Sequence, residues 1–256
     1  MMRVRGVLLD LDGTLYQDDR VVPGAAEAVA RLRRAGLPLR YVTNTTRLPR
    51  AALVDRLRGF GFMAHRDELV TAPVAAAAWL RAHRLHRIAL CVPEPTLADF
   101  EGFDLDDVRP EAVVVGDLGA RWTFERLDHA FRWVLAGARL VALQKNRYWQ
   151  TPDGLSLDVG PFVVALEYAA GVTATVVGKP SREFFLAASG SMGLNPHEVA
   201  MIGDDVFADV AGAQDAGARG VLVRTGKYRA GDETAAGRAP DAVIESVVGV
   251  PGLLGA

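Results

Sequence analysis

The chain has 256 residues, half of them hydrophobic, which is long enough for one large domain or two modest ones with a substantial core. A formal net charge of −2, without a basic run or a basic patch interleaved with aromatic residues, argues against a nucleic-acid partner. No segment approaches the roughly 20 apolar residues of a membrane span, and the apolar N-terminal stretch is too short for a signal peptide, so no membrane partner is expected.

Apolar runs alternate with segments of helical period along the chain, which is the pattern of an α/β fold. Near the N-terminus, the apolar run at residues 4–9 is bounded by a glycine turn and predicts a buried strand of a parallel sheet. The pattern then predicts a helix that ends near Gly36, a strand at 37–43 and a helix that ends near Gly61.

Residues from about 73 to 175 are predicted to form a separate unit with its own strands and helices. The segment from Gln144 to Gly160 contains Pro152, Asp153 and Gly154, which indicates a loop or hairpin. The other predicted strands lie at 87–92, 112–115, 139–143, 173–177, 199–203, 220–224 and 242–244, and the other predicted helices end near 137 and 170 or span 181–192 and 206–217.

Two carboxylates, Asp10 and Asp12, follow the first predicted strand and precede Gly13. Side chains of an extended chain alternate with a period of two, so both acids are expected to point the same way, and Gly13 lets the backbone turn. Ligands of parallel sheets bind at the carboxyl ends of the strands. A solvated turn that ends the strand is the alternative interpretation of this motif taken alone.

Polar side chains follow four predicted strands: Asp10 with Asp12, Thr43 with Asn44, Lys179, and Asp204 with Asp205. Together, these groups at one edge of a sheet indicate a site for a metal and a phosphate. Three carboxylates without a cation would repel by about 4 kcal/mol per pair at ~4 Å and an effective dielectric near 20. A divalent ion removes that repulsion, and an all-oxygen ligand set with room for water and phosphate favours Mg²⁺ over calcium or zinc.

Lys179 is one of only three lysines, with Lys145 and Lys227, among 29 Lys and Arg residues. In a chain that uses Arg for nearly every other basic position, a lysine in Val177-Gly178-Lys179-Pro180 suggests a need for a compact point charge. The alternative explanation is chance, which explains Lys145 and Lys227 equally well.

The motifs Asp10-Leu11-Asp12-Gly13-Thr14, Thr43-Asn44, Gly178-Lys179-Pro180 and Ile202-Gly203-Asp204-Asp205, the last followed by Asp209, resemble those of the haloacid dehalogenase superfamily of aspartyl-phosphate hydrolases. The strings at 42–46, 174–180 and 224–229 look most like the phospholysine phosphohistidine inorganic pyrophosphate phosphatase branch. The resemblance implies an α/β fold with a Rossmann-like doubly wound parallel sheet core, residues 1–74 and 176–256, and an inserted α/β cap domain, residues 75–175.

The resemblance also implies roles for the motif residues. Asp10 would be the nucleophile that forms an aspartyl-phosphate, and Asp12 would be the general acid and base. The metal ligands would be Asp10, the Asp12 backbone carbonyl and Asp204, supported by Asp205 or Asp209. Phosphoryl oxygens would be bound by Thr43, the Asn44 backbone and Lys179.

The leading hypothesis is therefore a magnesium-dependent phosphatase with a small phosphorylated substrate. A phosphorylatable receiver-type signalling module is an alternative, since receivers also combine acids, a Thr and a Lys at strand ends. Receivers, however, are single small domains, whereas ~100 residues precede the Lys here. A metal-independent dehalogenase is a third possibility, but it has no use for Asp12 or magnesium.

Substrate choice is expected to depend on the cap, which would exclude large substrates such as folded phosphoproteins. The candidate contacts lie in the loop after the predicted strand at 139–143, at Lys145, Asn146, Arg147 and Tyr148. The resemblance also suggests a homodimer joined through the cap. Finally, the single cysteine, Cys91, excludes an intrachain disulfide and indicates a cytoplasmic protein.

Overall fold

A computed structural model describes residues 2–46, 48–151 and 154–256 of the chain. Within these ranges, contacts between residues divide the chain into two compact units. The first unit comprises Met1–Thr43, Arg50–Val70 and Lys179–Ala256, and the second comprises Asn44–Pro49 and Thr71–Gly178. Both units are discontinuous in sequence, because the chain passes from one to the other several times.

Strands and helices alternate through both units. The strands are, in chain order, β1 (Gly6–Asp10), β2 (Tyr16–Gln17), β3 (Arg20–Val21), β4 (Leu39–Thr43), β5 (Leu69–Thr71), β6 (Arg87–Cys91), β7 (Asp104–Leu105), β8 (Ala112–Val115), β9 (Arg139–Ala142), β10 (Tyr148–Thr151), β11 (Gly154–Leu157), β12 (Thr175–Val176), β13 (Val199–Gly203), β14 (Arg219–Val223) and β15 (Ala242–Ile244). The helices are α1 (Ala25–Arg34), α2 (Arg50–Gly59), α3 (Ala72–Ala82), α4 (Phe124–Leu135), α5 (Gly160–Ala170), α6 (Arg182–Gly190), α7 (Gly212–Asp215), α8 (Asp232–Ala235) and α9 (Val250–Leu254).

The larger sheet has the strand order β15-β14-β13-β1-β4-β5. The central strand β1 pairs in parallel with β13 on one side and with β4 on the other, and every residue of β1 is buried. On one face of the sheet, Val7 and Leu9 belong to the same buried cluster as Val29 of α1 and Leu57 of α2. Contacts between α6 and β1 cover the other face. Helices therefore cover both faces of the sheet, which explains why β1 is almost entirely apolar.

The second unit contains a smaller parallel sheet of its own, with the strand order β12-β9-β8-β6-β7. Leu80 of α3 packs against one face, and helices α4 and α5 pack against the other. Cys91 is buried on the α4 and α5 side. Each unit thus contains a parallel sheet covered by helices, and the second unit is inserted in the sequence of the first. This arrangement confirms the predicted α/β fold class.

The segment between β9 and α5 forms an antiparallel hairpin of β10 and β11, in which Tyr148 pairs with Leu157. This agrees with the prediction of a loop or hairpin at residues 144–160. Pro152 and Asp153, which contributed to that prediction, lie outside the described residues.

The predicted strand at 173–177 is present as β12, but it does not belong to the larger sheet. It pairs with β9 in the smaller sheet, where Thr175 lies opposite Val141. Lys179 therefore does not follow a strand of the larger sheet, and its expected position at such a strand end was wrong. The sequence of a short strand shows that it is extended and does not show which strand it will pair with.

In the described part of the chain, every helix is too short or too polar to span a membrane.

Candidate active site

Three polar positions of the first unit lie at the same edge of the larger sheet. Asp10 is the last residue of β1, Thr43 is the last residue of β4, and Asp204 directly follows β13. Because β1 is parallel to both neighbouring strands, all three positions lie at carboxyl ends, where ligands of α/β sheets bind. Asp10, Thr43 and Asp204 are all buried.

Lys179 reaches this edge from the segment before α6. Its ammonium group contacts Asp10 Oδ1 and lies 2.6 Å from Asp209 Oδ1, and only 4% of the residue is exposed. Burial alone would lower the pKa of Lys179, but the carboxylates of Asp10 and Asp209 raise it above its ordinary value. Lys179 is therefore a permanently charged cation within the site.

Asp204 adds a third carboxylate to this group. One carboxylate oxygen each from Asp10, Asp204 and Asp209 lies within 4.8 Å of the others, and all three residues are buried. Burial, together with the charges of Asp10 and Asp209, raises the pKa of Asp204 to about 8. Burial also raises the pKa of Asp209 to about 7, although Lys179 partly opposes the shift. The shifts show that three negative charges are poorly tolerated here without more positive charge than Lys179 supplies.

This donor set fits a divalent cation. Oxygen ligands without any sulfur or imidazole nitrogen are typical of magnesium or calcium sites and not of zinc sites. Burial raises the pKa values of Asp204 and Asp209, repulsion from neighbouring carboxylates adds to the shift, and a bound cation would offset both effects.

Backbone N–H groups also hold Asp205, which follows Asp204, and Asp209 of the cluster. Asp205 Oδ1 accepts hydrogen bonds from the N–H groups of Phe207 and Ala208, at 3.0 and 2.9 Å, and so caps the π-helical turn Val206–Ala211. Asp209 Oδ2 accepts one from the Asp205 N–H at 3.2 Å. A side chain on Gly203 would overlap the Asp209 carboxylate, so this strand end requires glycine.

Asp12 lies on the turn after β1, two residues from Asp10. The residue is exposed, yet the protein around its carboxyl group and the charges of Asp10 and Asp18 raise its pKa. The turn is closed by a hydrogen bond of 2.6 Å from the Gly13 N–H to the Tyr16 carbonyl, and Gly13 has a positive φ of 86°. A protonated carboxyl group at this position could donate a proton to a leaving group.

The chain passes from the first unit to the second between Thr43 and Asn44, two residues predicted to act together. Asn44 is half-buried in the second unit, where its Oδ1 would lie 2.8 Å from a Cβ placed on Gly178.

The four candidate specificity residues all lie in the second unit. Lys145 forms an ion pair with Glu167 of α5, at 2.7 and 2.9 Å to the two carboxylate oxygens, which ties it to that helix. The Asn146 carbonyl accepts a hydrogen bond from the Gly160 N–H at 2.9 Å. Tyr148 is exposed, and the Arg147 guanidinium carbon lies 6.0 Å from its ring centroid.

Sequence reasoning assigned no role to the segment Thr225–Lys227, although the structure places it at the same site. The Lys227 N–H donates a hydrogen bond to Asp204 Oδ2 at 2.7 Å, and the Thr225 hydroxyl donates one to the Gly13 carbonyl. Two signals pointed to this segment: the string at 224–229 is part of the family resemblance, and the segment follows β14, the strand next to β13 in the sheet.

Two family sequence models match the chain. The model described as haloacid dehalogenase-like hydrolase matches residues 7–106, and the HAD-hydrolase-like model matches residues 176–250. Among full-length relatives, haloacid dehalogenase-like hydrolase domain-containing protein 2 of Bos taurus is 46% identical over 95% of this chain and 93% of its own length. Phospholysine phosphohistidine inorganic pyrophosphate phosphatase of Bos taurus is 44% identical over 90% of this chain and 86% of its own length.

Solved structures agree with these sequence relatives. The p-nitrophenyl phosphatase from Archaeoglobus fulgidus superposes with a TM-score of 0.92 at 29% identity, covering 99% of this chain and 100% of that one. The 4-nitrophenylphosphatase from Thermotoga maritima gives a TM-score of 0.89 at 27% identity, covering 98% and 97%. These comparisons confirm the resemblance that the motifs indicated: the chain belongs to the haloacid dehalogenase-like hydrolase family.

Proposed function

We propose that this chain is a magnesium-dependent phosphatase that hydrolyses a small phosphorylated compound through an aspartyl-phosphate on Asp10. The observation that carries the proposal is the buried group of Asp10, Lys179 and Asp204 at the carboxyl end of a parallel strand. Buried charges in a cluster are costly, and they recur where binding or catalysis uses them. Membership of a hydrolase family and phosphatases among the relatives support this class of reaction.

The reaction would consist of two displacements at phosphorus. In the first, an Asp10 carboxylate oxygen bonds to phosphorus while the bond to the leaving group breaks and Asp12 gives its proton to that group. In the second, water bonds to phosphorus, Asp12 takes a proton from the water, and the bond to Asp10 breaks to release inorganic phosphate. The protein around the Asp12 carboxyl group and the charges of Asp10 and Asp18 raise its pKa, which is the direction of shift that a proton donor requires.

Positive charge and hydrogen-bond donors would hold the transferred phosphoryl group. Lys179 contacts Asp10 and would attract both the nucleophile and the phosphoryl oxygens. Thr43, at the end of the adjacent strand, would donate its hydroxyl to a phosphoryl oxygen. The family resemblance adds the backbone of Asn44.

We propose that Mg²⁺ is held by Asp10, Asp204 and the backbone carbonyl of Asp12. When bound, the ion would offset the negative charge of the carboxylates and of the phosphoryl oxygens. Asp205 and Asp209, which are anchored by backbone hydrogen bonds, would keep the neighbouring side chains in position.

The substrate class includes phosphomonoesters, phosphoramidates and pyrophosphate, because the relatives carry the names of phosphatases for such compounds. Phosphate release from p-nitrophenyl phosphate, pyrophosphate and phosphohistidine, measured with Mg²⁺ and with EDTA, tests the proposal. Many turnovers in Mg²⁺ and none in EDTA are expected. A single phosphorylation without turnover would favour the receiver-type module, and chloride release from a haloacid in EDTA would favour a dehalogenase.

We propose that residues 75–175 act as a cap for recognition and that two copies associate through it. Helix α5 supports the dimer, because its exposed positions Val164, Ala165, Tyr168 and Ala169 are all apolar. Tyr168 is 91% exposed and Val164 is 49% exposed. A second copy would present the same apolar face, as a two-fold interface requires.

Sedimentation of the full chain tests this association. Tyr168→Lys is expected to convert a dimer into a monomer, because a charge in an apolar interface is costly to bury. Met63→Lys is the matched control, since Met63 is 65% exposed in the first unit. A monomeric wild-type chain, or a Tyr168→Lys variant that remains dimeric, would contradict the proposal.

We place the protein in the cytoplasm on the basis of its cysteine content. Cys91 is free and only 2% exposed, and burial raises the pKa of its thiol to about 12. A thiol of this kind is stable in a reducing compartment and contributes to the core as a small apolar group.

A further inference from the structure

The segment Thr225–Arg229 has no role in the proposed reaction, yet it contacts two of the proposed metal-binding elements. It follows β14, which pairs with β13 on the side of β13 that faces away from β1. Its contacts at the site lie with Asp204, after β13, and with Gly13, after β1.

The segment forms one wall around the Asp204 carboxylate. The Lys227 N–H donates to Asp204 Oδ2 at 2.7 Å. A side chain on Gly226 would overlap this same oxygen, and so would a side chain on Gly13. Asp204 Oδ2 therefore lies between two glycine backbones that leave it little freedom to change position.

The segment also holds the turn that follows β1. The Thr225 hydroxyl donates a hydrogen bond to the Gly13 carbonyl, one residue after Asp12. Through this bond, the backbone next to the Asp12 carbonyl is fixed relative to the loop that contacts Asp204. Two proposed metal-binding elements that are far apart in sequence, at Asp12 and Asp204, thus share one support.

Arg229 holds the segment from its outer side. Its Nη1 donates to the carbonyls of Tyr228 and Lys227 at 2.8 and 3.0 Å and lies 3.4 Å from the carbonyl of Gly226. The Lys227 ammonium group, 3.3 Å from Asp205 Oδ2, adds a second anchor. A loop of surface residues with this many internal contacts is expected to keep one conformation without a ligand.

We propose that Thr225–Arg229 is a positioning loop that sets the Mg²⁺ affinity of the site by fixing Asp204 and the Asp12-Gly13 turn. The inference rests on the proposed function and goes beyond it, because none of these residues is a proposed ligand. Mg²⁺ requires near-ideal geometry, so ligands that are fixed in advance bind it more tightly.

The test is isothermal titration of Mg²⁺ alone into the full chain, with a pair of glycine variants. Gly226→Ala is expected to weaken Mg²⁺ binding at least ~10-fold, within the range for residues that orient metal ligands. Gly237→Ala is the matched control: Gly237 has a φ of 72°, comparable with 59° at Gly226, but a Cβ there has no heavy atom within 4 Å. Its Mg²⁺ affinity should equal that of the wild-type chain.

A second pair keeps the inference testable if Gly226→Ala does not fold. Thr225→Val preserves shape and removes the hydroxyl donor, and it should weaken Mg²⁺ binding by about 10-fold, whereas Thr225→Ser should stay within about twofold of wild type. Thermal unfolding in EDTA checks that each variant is folded. If Thr225→Val, or a folded Gly226→Ala, binds Mg²⁺ as tightly as the wild-type chain, the inference is overturned and the proposed function is unaffected. A wild-type chain that binds no Mg²⁺ would overturn the inference and the proposed function together.

Discussion

Asp204→Asn should have opposite effects on stability with and without Mg²⁺. The carboxylate oxygens of Asp10, Asp204 and Asp209 lie within 4.8 Å of one another, and Lys179 contacts the first and the last of these acids. Asp10, Asp209 and Lys179 together carry a net charge of about −1. A charge on Asp204 repels that net charge by about 3 kcal/mol at 4.8 Å and an effective dielectric of 20.

Asparagine has the shape of aspartate and can still accept the Lys227 hydrogen bond, but it removes this repulsion. Protonation of Asp204 already relieves part of it, because the pKa of Asp204 is raised to about 8. In EDTA at pH 8, the free energy of unfolding of Asp204→Asn should therefore exceed that of wild type by about 1–3 kcal/mol. In Mg²⁺ at 100 times its dissociation constant, wild type should gain about 2.7 kcal/mol and the variant much less.

Urea unfolding followed by circular dichroism, in EDTA and in Mg²⁺, measures both effects. Asp241→Asn is the matched control, because Asp241 accepts hydrogen bonds from Arg219 and the Gly220 N–H, at 2.8 and 2.9 Å, in the same unit. Its loss of stability should be the same in both conditions. An Asp204→Asn variant that is less stable than wild type in EDTA would refute the argument that a buried charge on Asp204, next to Asp10 and Asp209, destabilises the metal-free protein.

Three further predictions concern turnover. Asp10→Asn should fold normally and retain less than about 1% of wild-type phosphate release, because the amide lacks the attacking oxygen; higher retention would imply another nucleophile. Calcium should inhibit the Mg²⁺-activated enzyme, since its larger coordination number permits a bidentate grip on Asp10; equal rates with the two ions would contradict this. Replacing Arg147 and Tyr148 together by Ala should change kcat/KM differently across phosphometabolites and least for a minimal aryl phosphate; a uniform loss would place the source of specificity elsewhere.

Much of the fold could be predicted because buried parallel strands have a strong sequence signal. The apolar run before Asp10 predicts strand β1. The glycines after the helices indicate where the neighbouring strands begin. Helix α3 was not predicted, because its four consecutive alanines at 75–78 give almost no apolar period. The partner of β12 was also beyond prediction, since two residues of extended chain fit either sheet.

The site shows the same division. Asp10, Thr43 and Asp204 could be proposed as site residues because each follows a predicted strand or ends it, and Asp12 because it lies two residues after Asp10. The loop at Thr225–Arg229 contacts Asp204 through the backbone N–H of Lys227, a group that every residue type except proline carries, so sequence alone gives little indication of that contact. Its side-chain contact, from the Thr225 hydroxyl to the Gly13 carbonyl, joins residues far apart in sequence, and the partner could not be read from the sequence.

During synthesis of the chain, one edge of the central strand β1 stays unpaired for a long time. β1 is made long before its partner β13, because Gly6 pairs with Val199, and the residues between them must be made before that edge is covered. Until then, β1 has an unpaired apolar edge that could pair with other chains. Residues 71–178 of the second unit are contiguous and are made before β13, so the second unit can fold before the larger sheet of the first unit is complete. Fragments that end before residue 199 should therefore aggregate, and a chaperone that binds extended apolar segments should act mainly on β1.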